Sequence, residues 1–291
     1  MNFKLTQTLA GSCAQALLAC TALLGMGTAH AASCALVPSG QATLEDTQRA
    51  DLLREFKFAE LDNEIGRLHK KNIASDGTDL LTLRNLVSLQ QMSGQEENLV
   101  RMWADERPQS FFAQLNAGIF YANRAFGARG VGAASQVSGG QWTQARALGG
   151  KALPYLQKAM ALDPKSALPQ SAMMGLAVLD GKSSERSPEQ WLQAANQTDP
   201  KNLAARINAV NYLSPRWGGS FELLDHMVEQ AGKSLSVAGS HYLRYNVVLA
   251  KASHNEVIEK DKAKAQAFYK QARSMCDNSE AAREGMTRTY Q

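Results

Sequence analysis

Apolar residues in this chain recur at helical rather than strand spacing. Phe58, Leu61, Ile65 and Leu68 follow one another by three, four and three positions. Residues with that spacing share one face of an α-helix, whereas a half-buried strand alternates at every second position. The same periodicity returns along the chain, and strand-like alternation is nearly absent. The pattern therefore predicts an all-α protein.

Residues that start and stop helices divide this pattern into segments. Ser187 with Gln190, and Ser93 with Glu96, have the spacing of a capping box, in which each side chain satisfies a free backbone N–H at a helix start. Prolines break helices from within, so those at positions 108, 164, 200 and 215 mark turns. These signals predict helix pairs at 43–55 with 57–71, 78–92 with 95–106, 109–126 with 142–162, 166–180 with 188–197, 201–213 with 219–231 and 240–253 with 261–275, followed by a last helix at 279–290.

An internal repeat supports the pairing. The pattern Leu-x-x-Ala-x-x-x-Asp-Pro-Lys at 156–165 returns at 192–201. This offset of 36 residues is close to the period of about 34 in tetratricopeptide repeats, whose small residues let paired helices approach closely. We expect a tetratricopeptide-like α-solenoid of about six degenerate helix pairs, coiled as a right-handed superhelix.

The first 31 residues have the form of a secretory signal peptide. Lys4 precedes an apolar or small stretch at 9–27, and Ala29-His30-Ala31 gives the small-x-small pattern of a cleavage site. A membrane anchor is the alternative, but polar and glycine residues dilute the stretch. We expect export to a bacterial periplasm, an extended segment at 32–42, and one helical domain at 43–291. A lipid anchor on Cys34 is not expected, because Ala31 stands where the lipobox requires a branched aliphatic residue.

The mature chain carries little net charge. Loss of Lys4 leaves 30 lysine and arginine residues against 27 acidic ones, a balance of +3. Dispersed charge of this size does not indicate a nucleic-acid partner. No later segment is long and apolar enough to predict a membrane span.

Two cysteines, Cys34 and Cys276, remain after signal cleavage and can pair in an oxidising compartment. They lie at opposite ends of the predicted solenoid. Six stacked helix pairs, at about 10 Å per packing step, separate its ends by about 50 Å. The segment after Cys34 reaches only about 30 Å. A Cys34–Cys276 disulfide therefore requires a strongly curled superhelix or a tail laid along the groove.

A glycine-rich segment at 127–141 interrupts the helical pattern. It contains five glycines, one of which is Gly130, together with Arg129, and Trp142 follows it. Such a segment is either a mobile connector or a binding element. It has no phosphate-loop spacing, so nucleotide binding is not predicted.

The sequence Pro-Arg-Trp-Gly-Gly-Ser at 215–220 also has two interpretations. As a structural turn, Ser220 caps the next helix and Trp217 packs between helices, with Arg216 stacked on a ring or paired with a carboxylate. As a ligand platform, Arg216, Trp217 and the two glycines present a binding surface.

Several short motifs occur in order along the chain: Phe-Ala-Glu-Leu-Asp at 58–62, Trp103 with Pro108 and Ser110, Arg-Gly at 129–130, Leu-Asp-Pro at 162–164, and Leu-Ser-Pro-Arg-Trp-Gly-Gly-Ser at 213–220. Together they resemble those of a bacterial family known as domain of unknown function 4034. The resemblance covers about residues 52–231, although Phe126 stands where tryptophan is expected. It implies a tetratricopeptide-like helical fold and no established reaction, cofactor or substrate.

No catalytic motif is present. The histidines lack metal-ligand spacing and there is no Cys-x-x-Cys pair, so no metal or other cofactor is expected. His69 lies in a lysine-rich helix end, where a cation would complement the helix dipole.

We therefore expect an exported interaction or scaffold protein that binds a protein or peptide in its concave groove. The candidate contacts are Arg129, Gly130, Trp142, Arg216 and Trp217. The alternative is a periplasmic hydrolase of cell-wall or peptide material, with its site at the glycine-rich segment.

Overall fold

The computed structural model describes residues 44–72, 78–92, 96–130, 134–179 and 184–290. Within these ranges the chain forms thirteen α-helices and no strand, so the predicted all-α class is confirmed. The helices are α1 Leu44–Arg54, α2 Phe58–Asn72, α3 Thr78–Met92, α4 Glu97–Glu106, α5 Phe111–Arg129, α6 Gly139–Leu162, α7 Leu168–Leu179, α8 Pro188–Thr198, α9 Leu203–Tyr212, α10 Phe221–Ala231, α11 Val237–His254, α12 Lys262–Met275 and α13 Glu280–Tyr290. Two 3₁₀ turns, Ala134–Gln136 and Pro215–Trp217, and a π-helical turn, Asn255–Glu259, complete the described chain.

The odd-numbered helices form a continuous inner layer, which is most deeply buried at α5, α7 and α9. Each of them packs against the next odd-numbered helix, from α1 on α3 to α11 on α13. Their composition suits this position, since α7 buries ten of its twelve residues and a helix that is apolar all round must be enclosed. The even-numbered helices pack on their odd-numbered neighbours and bury a narrower stripe, such as Leu99, Val100, Trp103 and Ala104 of α4.

The inner layer also curves back on itself, because α3 packs against α9. Three inner-layer steps separate these two helices, by way of α5 and α7. The contact between α3 and α9 leaves less room for the predicted concave groove.

The two copies of the internal repeat have matching local geometry. Asp163 and Asp199 each end a helix, and their backbone N–H groups bond to Ala159 O at 3.0 Å and Ala195 O at 2.9 Å. Their carboxylates accept the backbone N–H two residues later, at 3.1 and 2.9 Å. Ala159 and Ala195 are fully buried, as expected for small residues at a helix contact.

The glycine-rich segment is shorter than predicted. Helix α5 continues to Arg129 and α6 begins at Gly139, so both ends of the predicted 127–141 connector are helical. Gly139 and Gly140 are tolerated because they occupy the first turn of α6, whose N–H groups have no intrahelical partner.

The helix-start signals agree with the structure at Ser187. Its Oγ accepts the N–H of Gln190 at 3.3 Å, and the Gln190 Oε1 accepts the N–H of Ser187 at 2.9 Å. The corresponding prediction at Ser93 lies outside the described residues, and α4 begins at Glu97.

The prediction that His69 is a helix-end cation is wrong. Its ring is half-buried, and Nδ1 lies 2.9 Å from Thr82 Oγ1. Burial lowers the pKa of His69 below its ordinary value. The imidazole is therefore neutral at pH 7.

Candidate functional site

Three residues singled out by the sequence meet around one guanidinium group. Arg129 lies at the end of α5, Trp142 near the start of α6, and Trp217 in the turn after α9. The Arg129 Cζ atom is 4.6 Å from the ring centroid of Trp217 and 5.5 Å from that of Trp142. One cation thus contacts two indole rings from distant parts of the chain.

Two further arginines extend this cluster at its ends. The Arg216 Cζ lies 5.7 Å from the Trp217 centroid, and the Arg146 Cζ lies 5.7 Å from the Trp142 centroid. We call the alternating side chains Arg146, Trp142, Arg129, Trp217 and Arg216 the arginine–tryptophan ladder. Each such cation–π contact contributes about 0.5–1 kcal/mol when exposed and about 2 kcal/mol when desolvated.

The end of α5 positions the central arginine. Gly130 has φ +78°, which is unfavourable for residues with a side chain, and its N–H bonds to Phe126 O at 3.0 Å. The Arg129 Nη1 donates to Gly130 O at 2.9 Å. Only 3% of Arg129 is exposed. Its burial, and secondarily the charge of Arg216, lower the pKa of the Arg129 guanidinium.

A capping box at the start of α6 positions Trp142. Ser138 N–H donates to Gln141 Oε1 at 2.9 Å, and Gln141 N–H donates to Ser138 Oγ at 3.2 Å. The Gln141 Nε2 also donates to Arg129 O at 3.4 Å. Gln141 therefore links the two ends of the glycine-rich segment directly beside the ladder.

The turn at 215–220 positions the other tryptophan. Pro215 opens the 3₁₀ turn, and Gly218 follows it with φ +89°. A Cβ on Gly219 would lie only 1.9 Å from Leu213 O, so the chain can pass there only without a side chain. Ser220 Oγ accepts the Leu223 N–H at 3.1 Å and caps α10, as predicted.

An aromatic layer supports Trp217. Phe126 contacts the Trp217 ring edge-on, with centroids 5.9 Å apart, and stacks on Tyr212 at 5.5 Å. Gly175 makes room for this layer, because a Cβ there would lie 2.9 Å from the Tyr212 ring. Burial raises the pKa of Tyr212 to about 12. Phe126, the departure from the family motif, thus occupies a packing position in the site.

The ladder combines a buried centre with an exposed surface. Arg129 is buried, Trp142 and Trp217 are partly exposed, and Arg146 and Arg216 are exposed. Guanidinium N–H groups and indole faces can receive carbonyl, carboxylate and aromatic groups of another molecule. Within the described part of the chain, no group of three or more His, Cys, Asp or Glu side chains is placed to hold a metal ion.

The first two family motifs form a different cluster, centred on Asp62. Its carboxylate accepts hydrogen bonds from Trp103 Nε1 at 3.1 Å, Arg107 Nε at 2.8 Å and Ser110 Oγ at 2.5 Å. Ser110 also caps α5, through the N–H of Ala113 at 3.1 Å. These contacts join α2, the end of α4 and the start of α5, and they give Asp62, Trp103 and Ser110 of these motifs a structural role.

The sequence predicted four members of the ladder but not Arg146. A usable signal existed, because Trp142 and Arg146 are four residues apart on one helix and so share a face. The sequence predicted no role for Gln141 or Tyr212. Their contacts depend on segments that are distant in sequence, so no local pattern revealed them.

Only one cysteine of the predicted disulfide lies in the described part of the chain. Cys276 ends α12, is 5% exposed and is disulfide-bonded. Cys13, Cys20 and Cys34, the other cysteines of the chain, lie outside the described residues. The Cys34–Cys276 pairing stays a prediction.

A family model described as a domain of unknown function (DUF4034) matches residues 46–182 and 166–247. The two matches overlap and together span most of the helices described above, including both the Asp62 cluster and the ladder. No curated protein and no solved structure matches the chain. None of the described helices is long and apolar enough to cross a membrane.

Proposed function

This chain belongs to the family of the domain of unknown function DUF4034, and we propose that it is an exported helical-repeat protein that binds a protein or peptide partner at the arginine–tryptophan ladder. The observation that carries the proposal is the convergence of Arg129, Trp142, Arg216 and Trp217 on one partly exposed surface.

The residue types of the ladder suit an interface. Tryptophan and arginine are enriched among residues that dominate binding energy, and they act best in partly enclosed pockets. Here a buried arginine holds two indole rings in place, so a partner would meet a surface that is already ordered. Preorganisation of this kind lowers the entropic cost of association.

The solenoid part of the proposal is supported by the matching turns at Asp163 and Asp199 and by the continuous inner layer of odd-numbered helices. Because α3 contacts α9, the proposed binding surface is the ladder and not a wide concave groove. Residues 1–31 supply the export part of the proposal through their signal-peptide pattern.

A hydrolase at the glycine-rich segment has less support. Residues 127–141 contain no histidine, aspartate or glutamate, which are the usual general acids and bases. The Ser138 hydroxyl is engaged in the capping box at the start of α6. Both facts favour a binding role for this end of the hairpin formed by α5 and α6.

Comparative affinity purification tests the proposal. The tagged protein, Arg216→Ala, Arg146→Ala and the control Arg283→Ala would each be recovered from periplasmic extract and the co-purified proteins quantified by mass spectrometry. Arg283 is exposed and pairs only locally with Glu280. We expect a partner that both ladder variants reduce by about fivefold or more, while the control retains it. Equal recovery by all four proteins would reject the ladder as the binding surface.

Export has its own test. Cell fractionation and mass measurement of the recovered chain should give a periplasmic protein that begins at Ala32. A cytoplasmic protein that retains residues 1–31 would contradict the signal-peptide part of the proposal without bearing on the ladder.

A further inference from the structure

A cleft of 520 Å³ lies on the described surface between α3, α5 and α6. Cavities of about 300–1,000 Å³ are typical of small-molecule sites. Its polar lining comes from Gln90 of α3, Asn123 and Arg124 of α5, and Gln144 of α6. Val87 and Leu148 contribute apolar surface. None of these side chains belongs to the arginine–tryptophan ladder.

The polar wall of the cleft is made largely of side-chain amides. Asn123 and Gln144 are exposed, and their amides form no hydrogen bond to other described residues. Gln90 is 4% exposed and is held by its Nε2, which donates to Asn116 Oδ1 at 2.8 Å and to Asn116 O at 3.1 Å. Each amide group offers both donors and an acceptor.

The charge of the cleft is small. Arg124 is the one charged side chain among its described lining residues, and its Nη1 pairs with Glu97 Oε2 at 3.2 Å. The same guanidinium lies over the Phe120 ring, 5.5 Å from its centroid. An anionic or cationic ligand would therefore find little uncompensated opposite charge here.

A further polar side chain, Asn116, lies behind the polar lining of the cleft. Asn116 is fully buried, and its Nδ2 has no hydrogen-bond partner among the described residues. Buried donors without partners are rare in proteins and cost about 1–3 kcal/mol when left unsatisfied. Gln90, which lines the cleft, connects this buried amide to the polar wall.

We propose that this cleft binds a neutral saccharide. A sugar hydroxyl is both a donor and an acceptor, as is a side-chain amide, so Asn123 and Gln144 can each pair with it without a net charge. Val87 and Leu148 supply the apolar surface for the C–H face of the sugar ring. The cleft is bounded by three helices, and its volume of 520 Å³ is in the range of small-molecule sites.

Ligand titration of the purified full chain tests this inference. The probes are the neutral sugars N,N′-diacetylchitobiose, maltose and trehalose, with glucosamine as a cation, glucuronate as an anion and trialanine as a peptide. Binding would be followed through the side-chain amide NMR signals of Asn123 and Gln144. We expect at least one neutral disaccharide to shift both signals with a Kd of about 1 mM or tighter.

Three variants localise the binding. Asn123→Leu and Gln144→Leu should each weaken it by about fivefold or more. Gln271→Leu, an exposed amide on α12, should leave it unchanged, and thermal melts would confirm that all three variants fold. No shift with any neutral sugar, tighter binding of glucosamine, glucuronate or trialanine, or unchanged affinity in both cleft variants would each overturn the inference.

Discussion

The Asp62 carboxylate accepts a hydrogen bond from the indole Nε1 of Trp103, 3.1 Å away and 41 residues later in the chain. Trp103 is fully buried, so its N–H has no access to water if that bond is removed. Arg107 and Ser110 bond to the same carboxylate. One small side chain on α2 thus joins two other helices.

Replacing Asp62 should therefore be costly. We expect Asp62→Ala to lower the free energy of unfolding by about 2–4 kcal/mol, since it leaves a buried indole N–H unsatisfied and removes two further bonds. Asp51→Ala is the matched control, because Asp51 pairs with Arg54 on the exposed surface and such a pair contributes less than about 1 kcal/mol. Denaturant unfolding of both variants would measure the two losses in the free energy of unfolding. Equal effects would show that the Asp62 cluster does not stabilise the fold.

The turn that carries Trp217 depends on Gly219. A Cβ at this position would collide with Leu213 O, and backbone cannot move aside as a flexible side chain can. We expect Gly219→Ala to destabilise the protein by about 3 kcal/mol or more. It should also reduce the change in tryptophan fluorescence on unfolding.

The matched control for Gly219 is Gly150→Ala. Gly150 lies within α6, and a Cβ there would meet no atom within 4 Å. The same substitution should thus stabilise the protein, by up to about 1 kcal/mol. A tolerated Gly219→Ala would contradict the turn geometry.

Lowering the pH should weaken the contact between α2 and α3, because the buried His69 side chain becomes protonated. Burial lowers its pKa in the folded state below the ordinary value of about 6.5. The folded state therefore binds fewer protons than the unfolded one. The contribution of His69 to the free energy of unfolding is complete above about pH 6.5. It is lost as the pH falls through that value toward the folded-state pKa.

Unfolding experiments between pH 7.5 and about pH 5 would check the role of His69. His69→Gln should lose less stability over this range than the unsubstituted protein, because glutamine does not titrate. Parallel pH profiles for the two proteins would show that His69 is not responsible.

Cys276 should be the distal partner of a long-range disulfide with Cys34. The bond would close nearly the whole mature chain, and the packing of α3 on α9 shows that the inner layer curves within that span. Non-reducing peptide mapping should give one Cys34–Cys276 peptide. Reduction should lower the free energy of unfolding by about 2–5 kcal/mol, and Cys276→Ser should be insensitive to reductant. Two free thiols in unreduced mature protein would exclude the bond.

The sequence was sufficient for the helices because their signals are local. Apolar periodicity and capping residues such as Ser187 act within one or two turns, so predicted and observed helix bounds differ by at most three residues. The largest differences lie at the end of α5, where glycines form the first turn of α6, and where Ser236 caps α11 earlier than expected. The π-helical turn at Asn255–Glu259 has no comparable local signal.

The site was only partly predictable because its contacts are not local. Glycines beside Arg129 and Trp217 marked two unusual turns. The periodicity of apolar residues does not show that those turns face each other. That arrangement depends on Phe126 packing against Tyr212 and on the space that Gly175 leaves. The cleft between α3, α5 and α6 likewise requires three helices to come together.

Site-specific photo-crosslinking in the native host tests whether a partner binds at the arginine–tryptophan ladder. A photoreactive amino acid would replace Arg216 or Arg146 at the exposed ends of the ladder, and Arg283 on α13 as the control. We expect one common crosslinked partner from positions 216 and 146 and none of it from position 283. Absence of an adduct at both ladder positions, or the same adduct at all three positions, would contradict partner binding at the ladder.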